Sequence, residues 1–401
     1  MSNNSGHKKR TSQRVDRIAG IGFARFLKLL HSMSKEGLIS LSVGEPDYGT
    51  AACICEAAAQ AASEGWTKYT PTSGFPELRQ AIAANLKKRH GLDYDPDTEI
   101  LVTVGVSQAM DLSFRALLDP GDEVITPDPH YICYPPNIIL SEGVPVRVPT
   151  DMSADYALQP DEMERKITPR TKALLFGNPA NPTGALMEKN TLEGMAAIAQ
   201  KHDLVVIADE IYSAFVYGEA TFTSFATLPG MKERTVLLDG FSKRYGMPGW
   251  RIGYAAGPAD IIDSMLQMAQ HTMLCPPNAT QWAAVAALDM DDEVDFRTIL
   301  THYEQRRTLL YTELNRIGLA TAEPKGAFYI FPNVSITGLT AEEFCEKLLL
   351  EEKVMVLPGD SFGEQGKNHV RICYATPYAG LQEALQRIES FVNRYRVARP
   401  V

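Results

Sequence analysis

A lysine, a serine and an arginine stand close together in Asp239-Gly-Phe-Ser242-Lys243-Arg-Tyr-Gly-Met-Pro-Gly-Trp-Arg251-Ile-Gly-Tyr254. The apolar run before them, Thr235-Val-Leu-Leu238, reads as a buried strand. A second apolar run, Ile252 to Ala256, begins just after Arg251. Between the runs Gly246, Pro248 and Gly249 force an irregular path. A lysine at the mouth of a buried strand is poorly solvated. Its pKa falls, and the free amine is nucleophilic enough to form a Schiff base. Arg251 and the Ser242 hydroxyl are suited to a phosphate. Pyridoxal 5′-phosphate needs both a Schiff-base amine and a phosphate anchor. By itself the stretch reads more readily as a loop with a surface lysine and a structural arginine.

Other segments carry compatible chemistry. Asp203-Leu-Val-Val-Ile-Ala208 is too apolar for an edge strand, and it ends in Asp209-Glu210-Ile-Tyr212. A carboxylate buried there is costly unless paired. A protonated pyridine nitrogen is a suitable partner, and the pairing keeps the ring an electron sink. A helix N-cap beside a core tyrosine would give the same pattern. Ile100 to Val104 reads as a strand, and Gly105-Val106-Ser107 opens a helix running to Leu118. Backbone N–H groups there favour an anion and Ser107 adds a hydroxyl, although Ser107 also suits a plain N-cap. Tyr131 lies beyond the strand Glu123-Val-Ile-Thr126, where an aromatic can stack on a flat heteroaromatic ring. Tyr134 is as well suited to the core. Asn181 sits in Gly177-Asn178-Pro-Ala-Asn181-Pro182-Thr-Gly184, whose two Asn-Pro bonds suggest a cis peptide.

Together these segments resemble fold-type-I pyridoxal-phosphate enzymes, specifically the class I/II aminotransferases. The nearest branch is that of bacterial and archaeal aspartate and aromatic transaminases. The family's lysine signature is roughly S-x-S-K-x-x-x-x-x-G-x-R-x-G. This chain has Gly240-Phe-Ser242-Lys243, then Gly249-Trp-Arg251-Ile-Gly253. It departs at Gly240, where many relatives carry a phosphate-binding serine. The resemblance runs from about Ile21 to Val392. It implies that Lys243 holds the cofactor and moves the α-proton. It implies that Val106, Ser107, Ser242 and Arg251 hold the phosphate, that Tyr131 stacks on the ring, and that Asp209 pairs with its nitrogen. Asn181 and Tyr212 would bond the 3′-oxygen. Gly44, in Gly44-Glu-Pro46-Asp47, would lend its backbone to a loop over the substrate. Arg371, in His369-Val-Arg371-Ile-Cys-Tyr374, would grip the α-carboxylate through charge-assisted bonds of about 1.5–3 kcal/mol each. Without the family, Arg371 reads as an outward-facing strand arginine. Tyr69, in Lys68-Tyr69-Thr-Pro71-Thr-Ser-Gly74-Phe-Pro-Glu-Leu-Arg79, matches a tyrosine that reaches the neighbouring subunit's phosphate, which implies a homodimer.

The elements that must position these residues alternate strand, loop and helix from residue 100. Gly105–Ser107, Tyr131, Asn181, Asp209 and Lys243 each fall just beyond the C-terminal end of a predicted strand. Open α/β sheets bind ligands along that edge. No G-x-G-x-x-G or G-x-x-x-x-G-K-[ST] stands at a strand end, so nucleotide readings lose their main support. Helices are expected over Ile21–Ser34, Ala51–Gly65, Lys189–His202, Ala259–Met273 and about Asp291–Ile317. The last third shows strands at Gly326–Ile330, Val354–Leu357 and His369–Tyr374, with helices at Ala341–Leu350 and Gly380–Arg394. That suggests a smaller α+β lobe. The expected fold is α/β: a large domain with a mostly parallel seven-stranded sheet between helices, plus a smaller α+β domain. The expected division is a tail over 1–20, an arm over 21–48, the large domain over 49–290 and the small domain over 291–401.

The 401 residues, 45% of them apolar, suffice for such a core, and the net charge of −10 argues against a general polyanion binder. No apolar stretch is long enough to span a bilayer, and the polar start carries no secretory pattern. The six cysteines read as free thiols of a cytoplasmic protein, and the eight histidines show no metal spacing. The expected reaction moves an amino group between an L-amino acid and a 2-oxo acid. Glutamate and 2-oxoglutarate form one pair; an aspartate, aromatic or related amino acid belongs to the other. Some aspartate-using relatives have a lysine where this chain has Ser107, which weakens a strict aspartate reading. Tyr48, Tyr69 and Phe75 suit bulky substrates, and core or interface packing explains them equally well. A carbon–sulfur lyase or an aminocyclopropane-carboxylate-synthase-like enzyme would keep the same cofactor residues. A regulator built on this fold needs a DNA-binding module, and only about twenty residues precede the domain.

Overall fold

The computed structural model describes residues 10–18, 36–290 and 293–397. The helix expected over Ile21–Ser34 lies outside them, as do most of the expected tail and arm.

Seven strands form the central sheet: β2 (Ile100–Thr103), β3 (Glu123–Asp128), β4 (Val144–Pro149), β5 (Thr171–Gly177), β6 (Val205–Asp209), β7 (Thr235–Gly240) and β8 (Gly253–Ala256). Their order is β2-β8-β7-β6-β5-β3-β4. Only β8 runs against its neighbours. Residues that follow the other six strands therefore share one edge with the residues that precede β8. Among the inner strands, β5, β6 and β7 carry almost unbroken buried apolar runs, because helices cover both faces. Leu174, Val206 and Ala208 pack on one side, and Leu175, Ile207 and Leu238 on the other.

Sequence patterning passes over β4. It is the sheet's edge strand, with only Val148 buried and prolines at positions 145 and 149. Proline is tolerated where no ladder bond is needed on one side, and that erases the buried-strand signal. Two long helices, Pro76–His90 and Asn278–Asp289, are likewise found only in the structure, as are the short helices Gln13–Arg17, Tyr134–Leu140 and Pro160–Glu164. The first begins with Pro76 at its first turn and ends at Gly91, whose φ of 71° is left-handed.

The smaller domain is built on β9 (Tyr329–Ile330), β11 (Leu357–Pro358) and β12 (Val370–Cys373), in the order β11-β12-β9. The single strand expected over Val354–Leu357 is split. Its first part, β10 (Val354–Met355), pairs in parallel with β1 (Ile39–Ser40), and its second part joins β12. The chain ahead of the large sheet is thereby tied to the small domain. Helices Glu293–Ile317, Ala341–Glu352 and Tyr378–Tyr395 enclose this sheet. Asp128–Pro129, Asn178–Pro179 and Asn181–Pro182 are all cis.

Candidate active site

Lys243 lies just past the end of β7. Tyr48 Oη donates to the carbonyl oxygens of Lys243 at 2.6 Å and Arg244 at 3.0 Å, fixing the turn. The Lys243 ammonium donates to the carbonyl of Gly44 at 2.6 Å. Burial pushes its pKa down to about 8. At mildly alkaline pH the amine is therefore half neutral, as a nucleophile or proton carrier requires.

Asp209 ends β6 and is buried. Burial pushes its carboxyl up to about 6, opposed by hydrogen bonds from the Tyr134 hydroxyl and the Ile211 amide. Those bonds measure 2.9 Å and 3.4 Å. Tyr134 is thus both a core residue and the clamp on Asp209. The sequence allows both readings and gives no signal for the pairing. Tyr131 meets the Tyr134 ring edge-on at 5.5 Å and is itself partly open.

The helix Val106–Leu117 begins at the cavity, which Val106 and Ser107 line. Arg251, at φ 54° and ψ 57°, folds its guanidinium over this helix start. Gly105 takes φ 75°, which favours glycine, and a Cβ there would lie 2.6 Å from Arg251 Nη2, so a side chain would push the guanidinium aside. Gly240 has a comparable reason. It pairs with Gly253, and a Cβ on it would lie 2.8 Å from Gly253 Cα. The serine of many relatives is missing where β7 and β8 press together.

Arg371 projects from β12 and is buried. It donates to Asn181 Oδ1 at 3.1 Å and to the Ser42 carbonyl. Its guanidinium carbon lies 4.5 Å from the Tyr329 ring centre and 5.0 Å from that of Phe362. Its Nε is buried without a hydrogen-bond partner among the described residues. The strand arginine faces inward rather than to solvent.

One cavity of about 700 Å³ gathers Gly44, Val106, Ser107, Tyr131, Asn181, Asp209, Tyr212, Ser242, Lys243, Arg251 and Arg371. Tyr69 is not among its lining and is 83% exposed. Tyr48 is spent on the lysine turn, and Phe75 packs with Trp66 and Trp282, so neither shapes the cavity. Its apolar side comes instead from Ile132, Met355, Leu357 and Phe362, which patterning reads only as strand and loop residues. Tyr329, whose hydroxyl is 2.6 Å from that of Tyr212, is a further site residue found only in the fold. Among the described residues no group of three or more His, Cys, Asp or Glu could hold a metal ion, and no helix is long and apolar enough to cross a membrane.

The family model for aminotransferase class I and II matches residues 36–388. This chain belongs to that family. An aspartate aminotransferase of Pyrococcus abyssi is 44% identical over 363 residues, covering 90% of this chain and 93% of its own. Aromatic-amino-acid aminotransferase 2 of Thermococcus litoralis is 41% identical, covering 95% and 99%. The crystal structure of an aromatic aminotransferase from Pyrococcus horikoshii superposes with a TM-score of 0.88 at 42% identity, covering 92% and 98%. The chain is an aminotransferase of fold type I, an enzyme that moves an amino group between an amino acid and a 2-oxo acid. These relatives favour that activity over the lyase and synthase alternatives. The aminotransferase family uses pyridoxal 5′-phosphate.

Proposed function

We propose that this aminotransferase binds pyridoxal 5′-phosphate in the cavity and uses Lys243, Asp209 and Arg371 as its principal working groups. The observation that carries the reading is the placing of a buried carboxylate, a pKa-lowered lysine and an inward-facing arginine around one cavity. The residues fit the cofactor. Burial raises the Asp209 pKa, and a pyridinium beside it would favour the carboxylate that pairs with a protonated ring nitrogen. The helix N-terminus at Val106 and Ser107, the Ser242 hydroxyl and the Arg251 guanidinium suit a phosphate. When bound, the cofactor supplies an electron sink for the charge left by α-proton removal. Arg371 and Asn181 bind the α-carboxylate, with Arg371 Nε as an unused donor. Lys243 Nζ takes the α-proton and returns it, acting as base and then acid. Tyr131 covers the ring face, and Tyr212 and Asn181 hold its oxygen. Gly44 closes the loop over the substrate.

In this reading glutamate and 2-oxoglutarate form one substrate pair. The other amino acid is aspartate, aromatic or related. Ile132, Met355, Leu357 and Phe362 support a bulky apolar side chain over a carboxylate. The active unit is a homodimer in which the exposed Tyr69 reaches the partner's cofactor. The domains divide near residues 48 and 290, and six free thiols support a cytoplasmic setting. The test is the visible spectrum of the purified protein, before and after glutamate and then with a panel of 2-oxo acids. A cofactor band that glutamate bleaches and particular oxo acids restore supports the reading and ranks substrates. A band indifferent to every amino donor sinks it.

A further inference from the structure

Tyr329 belongs to the small domain, on β9, and Tyr212 to the large domain, just past β6. Their hydroxyl oxygens lie 2.6 Å apart, and both tyrosines are buried. Each phenol has one proton, so one donates to the other. Tyr212 and Tyr329 both line the cavity. Around them, Tyr329 is held on three sides. Its ring lies 4.5 Å from the Arg371 guanidinium carbon. Its hydroxyl is pressed against Gly44 so closely that a Cβ there would collide with it. The segment leading to it is stitched to the segment that follows Tyr212. Ala327 donates to the Phe215 carbonyl at 3.0 Å, and Tyr217 to the Lys325 carbonyl at 3.1 Å. Ala327 takes φ 54°, a left-handed conformation that alanine rarely adopts. The chain tolerates that strain where it aims Tyr329 at Tyr212.

We propose that Tyr329 is a positioning residue that donates its hydroxyl proton to Tyr212, leaving the Tyr212 proton directed into the cavity at the cofactor's ring oxygen. This rests on the pyridoxal-phosphate reading above. The cation of Arg371 supports the direction of donation. Burial raises both phenols, and Arg371 opposes that rise as the second-largest influence on Tyr329 but only a late one on Tyr212. Tyr329 is thereby the better donor. Tyr329 thus touches Arg371 with its ring and Tyr212 with its hydroxyl.

The experiment uses the holoenzyme as wild type, Tyr329→Phe, Tyr212→Phe and the double variant. Two quantities are read: kcat and KM for glutamate, and the pH midpoint of the lysine-bound cofactor's visible band. Phenylalanine keeps the ring against Arg371 and removes only the hydroxyl. Tyr329→Phe is expected to lower kcat about threefold to tenfold, the loss of one neutral hydrogen bond, with KM within about twofold. It should raise the band midpoint, because a weakened donor at the ring oxygen stabilises the deprotonated linkage less. In the Tyr212→Phe background the second substitution should change neither quantity appreciably. Placing the more acidic 3-fluorotyrosine at position 329 should lower the midpoint, and this holds as a test if Tyr329→Phe folds poorly. An unchanged midpoint and kcat in Tyr329→Phe, or a full additional effect in the double variant, overturns the proposal. A wild type with no cofactor band overturns the reading beneath it as well.

Discussion

Lys243 Nζ and the Gly44 carbonyl are 2.6 Å apart, although 199 residues separate them in the chain. The Lys243 amine and the loop beside it are therefore held as one unit, reinforced by Tyr48 on the lysine's own carbonyl. The loop has a second anchor. Asp47 accepts from Tyr303 Oη at 2.8 Å and from Arg306 Nη1 at 2.9 Å.

Gly44→Ala should disturb this unit, because the added Cβ collides with the Tyr329 hydroxyl. Overpacking of about 1–3 kcal/mol, if it falls on the reacting geometry, corresponds to roughly a fivefold to 150-fold fall in kcat/KM. Steady-state kinetics with glutamate tests this, with circular dichroism to verify the fold. Wild-type kcat/KM would mean that the loop's place against Tyr329 is irrelevant to turnover.

Lys243→Ala should abolish transamination outright, since among the described residues no other lysine lines the cavity. Its thermal midpoint should not fall below that of the cofactor-free wild type, because a buried amine is costly to leave charged. Single-turnover spectra and calorimetry read the two effects. Near-normal turnover would remove Lys243 from its role.

Arg371→Lys should raise KM for amino donors. A lysine cannot reproduce a bidentate fork, nor reach Asn181, Ser42 and a carboxylate together. Losing one charge-assisted bond of about 1.5–3 kcal/mol corresponds to roughly a tenfold to 150-fold loss in kcat/KM. An unchanged KM would argue for a carboxylate site elsewhere in the cavity.

Glu210 is buried beside Asp209, and burial pushes its carboxyl up to about 8. A group raised in the folded state stabilises most below its unfolded pKa, and that contribution is lost as pH rises through the folded value. The thermal midpoint of the cofactor-free protein should therefore decline between about pH 4.5 and 8. Glu210→Gln should flatten that decline while keeping an acceptor for the Phe225 amide. Parallel profiles for the two proteins would show that Glu210 is not protonated in the fold.

The sequence by itself determined most of what is local. Unbroken apolar runs mark β5, β6 and β7 because both faces are buried, and a residue just past such a run has to appear at the sheet edge. The places of Lys243, Asp209 and Asn181 at that edge were legible for that reason, while the parts expected of Lys243 and Asn181 came from the resemblance to a family. Strand β4 was not, because an edge strand with two prolines carries no burial pattern. The helices Pro76–His90 and Asn278–Asp289 were also missed, and only their packing makes them plain.

Tertiary structure alone decided the partners. Tyr134 reaches Asp209 across 75 residues, Tyr329 reaches Tyr212 across 117, and Tyr48 reaches Lys243 across 195. Periodicity records which face of an element is buried, and it is blind to what lies opposite. A tyrosine that closes a hydrogen bond in the site and a tyrosine that fills the core leave the same mark on the sequence. The hydroxyl's partner is chosen only when the two domains and the sheet edge come together.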